Sequence, residues 1–527
     1  MYRQSVYVFA LASLLLLQSC ATQSTFPMKI IVHYETMDQR FSTSSGKPAT
    51  QVERYLFSKQ IMIRVAKYYS AAMTVKAAEA TYSYTEFELT DKSKVAAGTF
   101  TGHLYTMFDC YYDETSKGFA SAAFQDRDAT TGRPISGSFH LNLFAIKPSP
   151  KNALAHYGTF VHEFYHILTF NNELFQHWVD GSNNKIGKAN IVETVNSRDR
   201  YKLSGSQAIE FAKTHLNDNA LSYIILENGG GAGSAGSHWE YDFWPNDFMS
   251  PIDTLPSLLS PLSLYMSKDA GWYGVNDQYA DPLIYAKGAG ADFQNTGTCP
   301  GDRNPIPIGF CATADKDKGM CSPDGMYKGK CGADETYNNN GGCPFIMGFL
   351  YCTVPSSDYE TSVNYDVETI GAGSRCATVK SSSSYTPACT TTTCSGGTLT
   401  YKFSNGGTCS CSAGDANNDK SCGGYTVKCP SATSITLTCE SLDTSKHRCP
   451  NDCSGKGFCL GLTAGSKKCW CKYGWTGDDC NTENTDEKAL TSVGTTSTAN
   501  KSNQRSSFIA GCSALLGLFV MILSSFL

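Results

Sequence analysis

The residue types that could do chemistry are concentrated in one short run, Val161-His162-Glu163-Phe164-Tyr165-His166. Side chains four residues apart share a helix face, so His162 and His166 can turn two imidazoles toward one ion. Neutral imidazole suits zinc, at about 2.0–2.1 Å per Zn–N bond, and zinc brings the pKa of a water it holds to about 7. Glu163 is one step from His162, close enough to take a proton from that water as its oxygen attacks a peptide carbonyl, without being a ligand. Two surface histidines flanking a solvated glutamate would give the same letters. They would not sit inside a segment that reads as a capped, partly apolar helix.

A catalytic zinc needs a third protein ligand and an open fourth position. In the compact arrangement, glycine and histidine stand three and six residues after the second histidine. Those positions hold Thr169 and Asn172 here. His177 is close in sequence, but a helix continuing through Phe175 would carry it away from the ion. The better candidate is His238, at the end of Gly229–Trp239 (GGGAGSAGSHW), where glycine lets the backbone turn tightly and approach an ion. Eleven residues on lies Met249, in Asp247-Phe248-Met249-Ser250-Pro251, a candidate methionine turn beneath the metal.

With these pieces together the chain resembles the leishmanolysin family of metzincin peptidases. The pattern is HExxH, a long insertion, a GGAGSAGSH-like stretch, then a methionine turn followed by proline. Asp269-Ala270-Gly271-Trp272-Tyr273 is similar to a further stretch of that family. The resemblance spans roughly residues 27 to 440 and is densest from 155 to 275. It implies one Zn2+ per chain held by His162, His166 and His238, with Glu163 as base and Met249 in the Met-turn. The implied activity is a zinc metalloendopeptidase acting on extended polypeptides, with Gly132–Leu143 as the edge strand that pairs with substrate. The family usually has glycine after the active-site helix. If that position needs positive φ, the β-branched Thr169 is strained there, so either the turn is built differently or activity is reduced, the latter favouring a weakly active or purely binding relative. No cysteine lies between Cys20 and Cys110, which speaks against a cysteine-switch pro-segment.

The elements that must position these residues can be read coarsely. Gln60–Val75 has recurring apolar positions and few breakers and reads as a helix. Ser136–Leu143 alternates as a strand after the turn at Gly132-Arg133-Pro134. Ser149 can cap a helix with Pro150 at its first position, running to about Leu168. Leu259–Gly274 reads as a further helix closed by glycine, and Ser434–Thr438 as a strand. The expected fold class is α+β: a metzincin catalytic domain, a disulfide-rich, mostly β domain, and a small EGF-like module. The boundaries are a signal peptide at 1–21, an N-terminal catalytic subdomain at 22–168 and a central one at 169–290. A Cys-rich domain at 291–445, the EGF-like module at 449–480, a Ser/Thr/Asn stalk at 481–507 and an apolar tail at 508–527 complete the chain.

Cysteine placement sets the compartment. Of 23 cysteines only Cys20 and Cys110 precede residue 299, twenty lie from Cys299 to Cys480, and Cys512 stands near the end. That density reads as a disulfide framework formed in an oxidising compartment. The six from Cys449 to Cys480, ending CWCKYGWTGDDC, resemble an EGF-like module, either a partner-binding unit or a spacer. That resemblance implies the pairs Cys449–Cys459, Cys453–Cys469 and Cys471–Cys480; spacing alone leaves fifteen connectivities. Setting aside these six with Cys20 and Cys512 leaves fifteen, an odd number, so one thiol has no partner in the chain; for Cys110 itself, pairing is the expectation.

Arg3, the apolar run Val6–Leu17 and Ser19-Cys20-Ala21 read as a signal peptide cleaved after Ala21, with lipid attachment at Cys20 an alternative in a bacterium. Phe508–Leu527 carries no charge and follows a polar spacer, so it reads as a GPI signal or a membrane helix. The expected location is the outer face of a membrane, with a possible adhesion role. A net charge of -5 over 527 residues suggests no nucleic-acid partner, and no Gly-Lys-Ser/Thr follows the glycine run, which speaks against a nucleotide site. Only Asn500-Lys501-Ser502 fits a glycosylation sequon.

Overall fold

The HExxH segment lies in a helix whose ends fall where the sequence put them. A computed structural model describes residues 25–483, except 43, 117, 149, 181–183, 185–188, 196–197, 231–233, 253–257, 292, 295–298, 334–342, 354–366, 372, 382–383, 443–452, 455–456, 461–467 and 472–474. The signal segment, the capping residue Ser149, Cys449, the stalk beyond residue 483, the sequon at Asn500 and the apolar tail lie outside the described residues. Among the described residues no helix is long and apolar enough to cross a membrane.

The first region is built on four strands and two long helices: β1 (Ile30–His33), α1 (Ala49–Ala72), β2 (Leu104–Tyr111), β3 (Ala120–Phe124), β4 (Ser136–Asn142) and α2 (Pro150–Leu168). The strand order is β1-β2-β4-β3. β1, β2 and β4 are parallel, and β3 pairs antiparallel to β4. The segment expected at the edge is therefore interior, and Ala120–Phe124 is the edge strand. Strand alternation aims Phe139 and Leu141 of β4 into the core, where both are fully buried. Phe160 of α2 packs on Phe108 and Phe139. Gly137 permits this contact, since a Cβ there would stand 2.5 Å from the Ile167 side chain.

The helix expected at 60–75 starts earlier, at Ala49, and ends at Ala72, where Met73–Val75 turns into a strand. From it Tyr69 stacks on Phe164 and Tyr165 and donates its hydroxyl hydrogen to the Val161 carbonyl at 2.7 Å. The helix that carries His162 and His166 is thus clamped between sheet and α1.

Beyond α2 come α3 (Ser206–Leu216), β5 (Ile224–Leu226) and α4 (Pro261–Asp269). Ser260 caps α4 by accepting from Leu262 N–H. Gly271 (φ +82°) stops it where a Cβ would strike the Val179 carbonyl. The DAGWY stretch is structural glue. Asp269 accepts from Gln207 and Ala208 N–H at 2.8 and 2.9 Å, capping α3 from outside because Gly205 has no side chain to do so. Tyr273 donates its hydroxyl to the Leu168 carbonyl at the end of α2.

Among the described residues of 299–439 the regular elements are chiefly strands. Seven disulfides join Cys299–Cys343, Cys311–Cys331, Cys321–Cys376, Cys352–Cys389, Cys394–Cys439, Cys409–Cys422 and Cys411–Cys429. Cys110 is the odd thiol, free and fully buried in β2, contrary to the expectation that it pairs. Ser434–Thr438 is not a strand but part of a helix, Ala432–Leu442. Ile435, Leu437 and Thr438 turn inward and Cys439 is tied to Cys394, so tertiary packing overrides the β-branched local preference. Cys453–Cys469 and Cys471–Cys480 are bonded; the expected Cys449–Cys459 pair falls on Cys449, outside the described residues.

Candidate metal centre

His162 and His166 project from one face of α2, and His238 meets them from the far side of a glycine loop. The loop leaves β5 and returns beside it: Glu227 N–H bonds the His238 carbonyl at 2.9 Å and Gly236 N–H the Glu227 carbonyl at 2.7 Å. Leu226 bridges Trp239. One ring nitrogen from each histidine lies within 4.8 Å of the other two, a group that could hold a metal ion.

The hydrogen bonds fix which nitrogens face inward. His162 Nδ1 meets the Phe248 carbonyl, His166 Nδ1 the Phe170 carbonyl at 2.6 Å, and His238 Nδ1 the Ser234 carbonyl at 3.0 Å. A carbonyl only accepts, so each Nδ1 carries the hydrogen and each Nε2 is a bare lone pair. Yet His162 Nε2 stands 3.1 Å from both His238 Nε2 and His166 Nε2. Two facing lone pairs repel unless a cation lies between them. Ligands about 2.05 Å from a tetrahedral zinc would be about 3.3 Å apart. Desolvation, with repulsion from His166, holds the His162 pKa down at about 3, desolvation holds His166 at about 4, and desolvation pushes His238 well below its ordinary value. All three imidazoles are neutral at pH 7, as metal ligands must be.

Glu163 is half-buried. Desolvation pushes its pKa up to about 8, opposed by the N–H of Ala122 on the edge strand β3. A dication beside the carboxylate would pull that value down again. Met249 is fully buried on a turn closed by Ser250 N–H on the Asp247 carbonyl. The residue before it, Phe248, supplies the carbonyl that orients His162.

Thr169 does not adopt positive φ, so the strain expected there is absent. Instead Thr169 and Phe170 N–H both reach the Tyr165 carbonyl, at 2.9 and 3.1 Å, and the turn brings the Phe170 carbonyl back onto His166. The helix breaks there and restarts at Asn172, and His177 packs beside Gly132.

Sequence reasoning missed the supports: three main-chain carbonyls, the Ala122 N–H and two buried carboxylates. Carbonyls carry no residue identity, so no signal existed for them. Glu227, alone after the apolar Tyr223-Ile224-Ile225-Leu226, was a visible hint. Its carboxylate accepts from Gly229 and Tyr241 N–H and staples the ends of the loop that carries His238.

Three imidazoles converge on one point, in a group that could hold a metal ion. A family model described as leishmanolysin (Peptidase_M8) matches residues 112–439, more than half of the chain, and the chain belongs to that family. It is 29% identical over 220 residues to the ciliated left-right organizer metallopeptidase of Xenopus laevis, covering 39% of this chain and 29% of that protein. The leishmanolysin-like peptidase of Drosophila melanogaster is 27% identical over 205 residues, 33% and 30% of the two chains. The leishmanolysin homolog of Crithidia fasciculata is 26% identical over 209 residues, 39% and 30%. The chain thus spans about three-tenths of the length of these relatives.

Proposed function

We propose that this chain is a zinc metalloendopeptidase that cuts internal peptide bonds of extended polypeptides. One observation carries the reading: three Nε2 lone pairs converge, that of His162 3.1 Å from each of the other two, with every Nδ1 hydrogen already committed to a carbonyl. His162, His166 and His238 would hold the ion, which when bound supplies Lewis acidity and makes water acidic enough to deprotonate near pH 7. Glu163 takes the proton from the attacking water at a carboxylate oxygen and returns it to the leaving amine. The unpaired edge of β3 offers main-chain groups to an extended substrate, and Ala122 N–H already points at Glu163. Membership of a peptidase family supports the same reading. The fold belongs with the metzincins, the six-cysteine unit is EGF-like, and the disulfides fit an extracellular setting at a membrane surface, reached through the apolar tail.

The test is hydrolysis of a denatured protein substrate by the purified protein, with and without a zinc chelator, beside Glu163→Ala. Activity abolished by chelator, restored by zinc and absent in the variant is expected. A folded, zinc-loaded wild type without activity would overturn the peptidase reading.

A further inference from the structure

We infer that Asp247 is a positioning residue for the metal centre, fixing two of the three histidines from the side away from the ion. This rests on the reading of His162, His166 and His238 as a metal site.

Asp247 is 2% exposed, and its carboxylate gathers three donors: Met249 N–H at 2.7 Å, Ser263 Oγ–H at 2.7 Å and Ser260 Oγ–H. Each leads somewhere different. The bond to Met249 N–H, with Ser250 N–H on the Asp247 carbonyl, sets the Met-turn and so aims the Phe248 carbonyl at His162 Nδ1. Ser263 Oγ in turn accepts the indole N–H of Trp239 at 2.7 Å, pinning the residue next to His238. The Trp239 N–H bonds the Met249 carbonyl at 3.0 Å, so the two branches close on each other. Ser260 caps α4, which anchors the carboxylate to a rigid element. Tyr165, one turn before the end of α2, reaches the Ser263 carbonyl and the Ser267 hydroxyl of the same helix.

Only an acceptor with several lone pairs in one plane can take all three donors, which is why a carboxylate sits where burial disfavours charge. Desolvation pushes its pKa up to about 7 and the hydrogen bonds oppose the shift. Groups that orient metal-bound imidazoles from behind change metal affinity about 10- to 100-fold when removed.

The test measures zinc affinity by competition with a chromophoric chelator and the visible spectrum of the Co2+-substituted protein. Asp247→Ala should weaken zinc binding by about 10- to 100-fold and shift the Co2+ bands. Asp247→Asn, whose side-chain oxygen can still take Met249 N–H and Ser263 Oγ–H, should stay within a few-fold of wild type. Ser263→Ala cuts only the Trp239 branch, and a several-fold loss with shifted bands is expected. It also decides the matter if Asp247→Ala does not fold. Folded variants with wild-type affinity and spectrum, including an Asp247→Ala that only lowers the unfolding midpoint, would overturn the positioning role. A wild type that binds no zinc would instead overturn the metal-site reading beneath it.

Discussion

Residues 25–293 and 299–439 hold themselves together by different means. The first has one described cysteine, Cys110, unpaired, and a continuous core running from Met28 to Phe293 and on to Phe310 and Phe345. The second has seven disulfides around two small clusters. One of these is Leu350 with three half-cystines, Cys352, Cys376 and Cys389. Its strands are rich in Ser, Thr and Gly and bury little large apolar surface, so cross-links replace packing. The first region has large aromatics to bury and needs no cross-link, except that its three histidines are brought together with lone pairs facing. The comparison teaches where each half is vulnerable: one to loss of a cation, the other to loss of sulfur bridges.

Chelation and reduction should therefore act on different halves, and this is the largest effect expected. Zinc at about a thousand times its Kd would add roughly 4 kcal/mol to the first region, all of it lost with chelator. Limited proteolysis after chelation should cut near residues 162–250 and spare 299–439, and mild reduction should do the reverse. Cleavage of both regions by either reagent alone would break the contrast. Within the first region, Glu163→Gln should retain zinc while lowering turnover by about 10²- to 10⁴-fold. A variant that loses metal and activity together would make Glu163 part of the binding set rather than the base.

In the second region, Cys352→Ala with Cys389→Ala removes a bridge buried in its own cluster. The expected cost is about 2–5 kcal/mol by urea unfolding, against little change in zinc affinity. A cost under about 0.5 kcal/mol would mean that packing, not sulfur, holds this half.

How much of this was legible in the sequence follows from the kind of signal each part left. Pro150–Leu168 was readable because apolar spacing, a proline start and a histidine pair coincide. Ser136–Asn142 was readable from its alternation. That β4 is interior was not, because alternation reports which faces are buried and not which edges are paired; the short strand Ala120–Phe124 carried no comparable pattern. Ser434–Thr438 failed for the opposite reason: a clear β-branched run was overruled by a disulfide and an inward helical face. The three histidines and Glu163 were legible from type and spacing. Asp247 and Glu227 were not, since a carboxylate that binds main-chain N–H groups depends on a turn only the fold creates. For Thr169 the sequence left two outcomes, strain or a differently built turn, and the turn after α2 takes a shape that needs no glycine.

The smallest expected effect sharpens the comparison at acid pH. His156 and His215 lie in the first region, 8% and 7% exposed, and desolvation holds both pKa values down at about 4. In the unfolded chain each titrates near 6.5. A folded pKa below the unfolded one gives stability that is complete above about pH 6.5 and lost as pH falls through about 4, because the unfolded chain takes up protons first. Disulfides do not titrate, so residues 299–439 should lose less over that window. His215 Nε2–H donates to the Tyr285 carbonyl at 2.7 Å, a bond that a glutamine amide can replace without ever becoming charged. His215→Gln in the metal-free protein should flatten the decline in urea midpoint between pH 6.5 and 4, by an amount on the order of 1–3 kcal/mol. Near pH 7.5 it should match wild type to within about 1 kcal/mol. A pH profile parallel to wild type would remove His215 from the account and leave the acid sensitivity to His156 and the three histidines of the site.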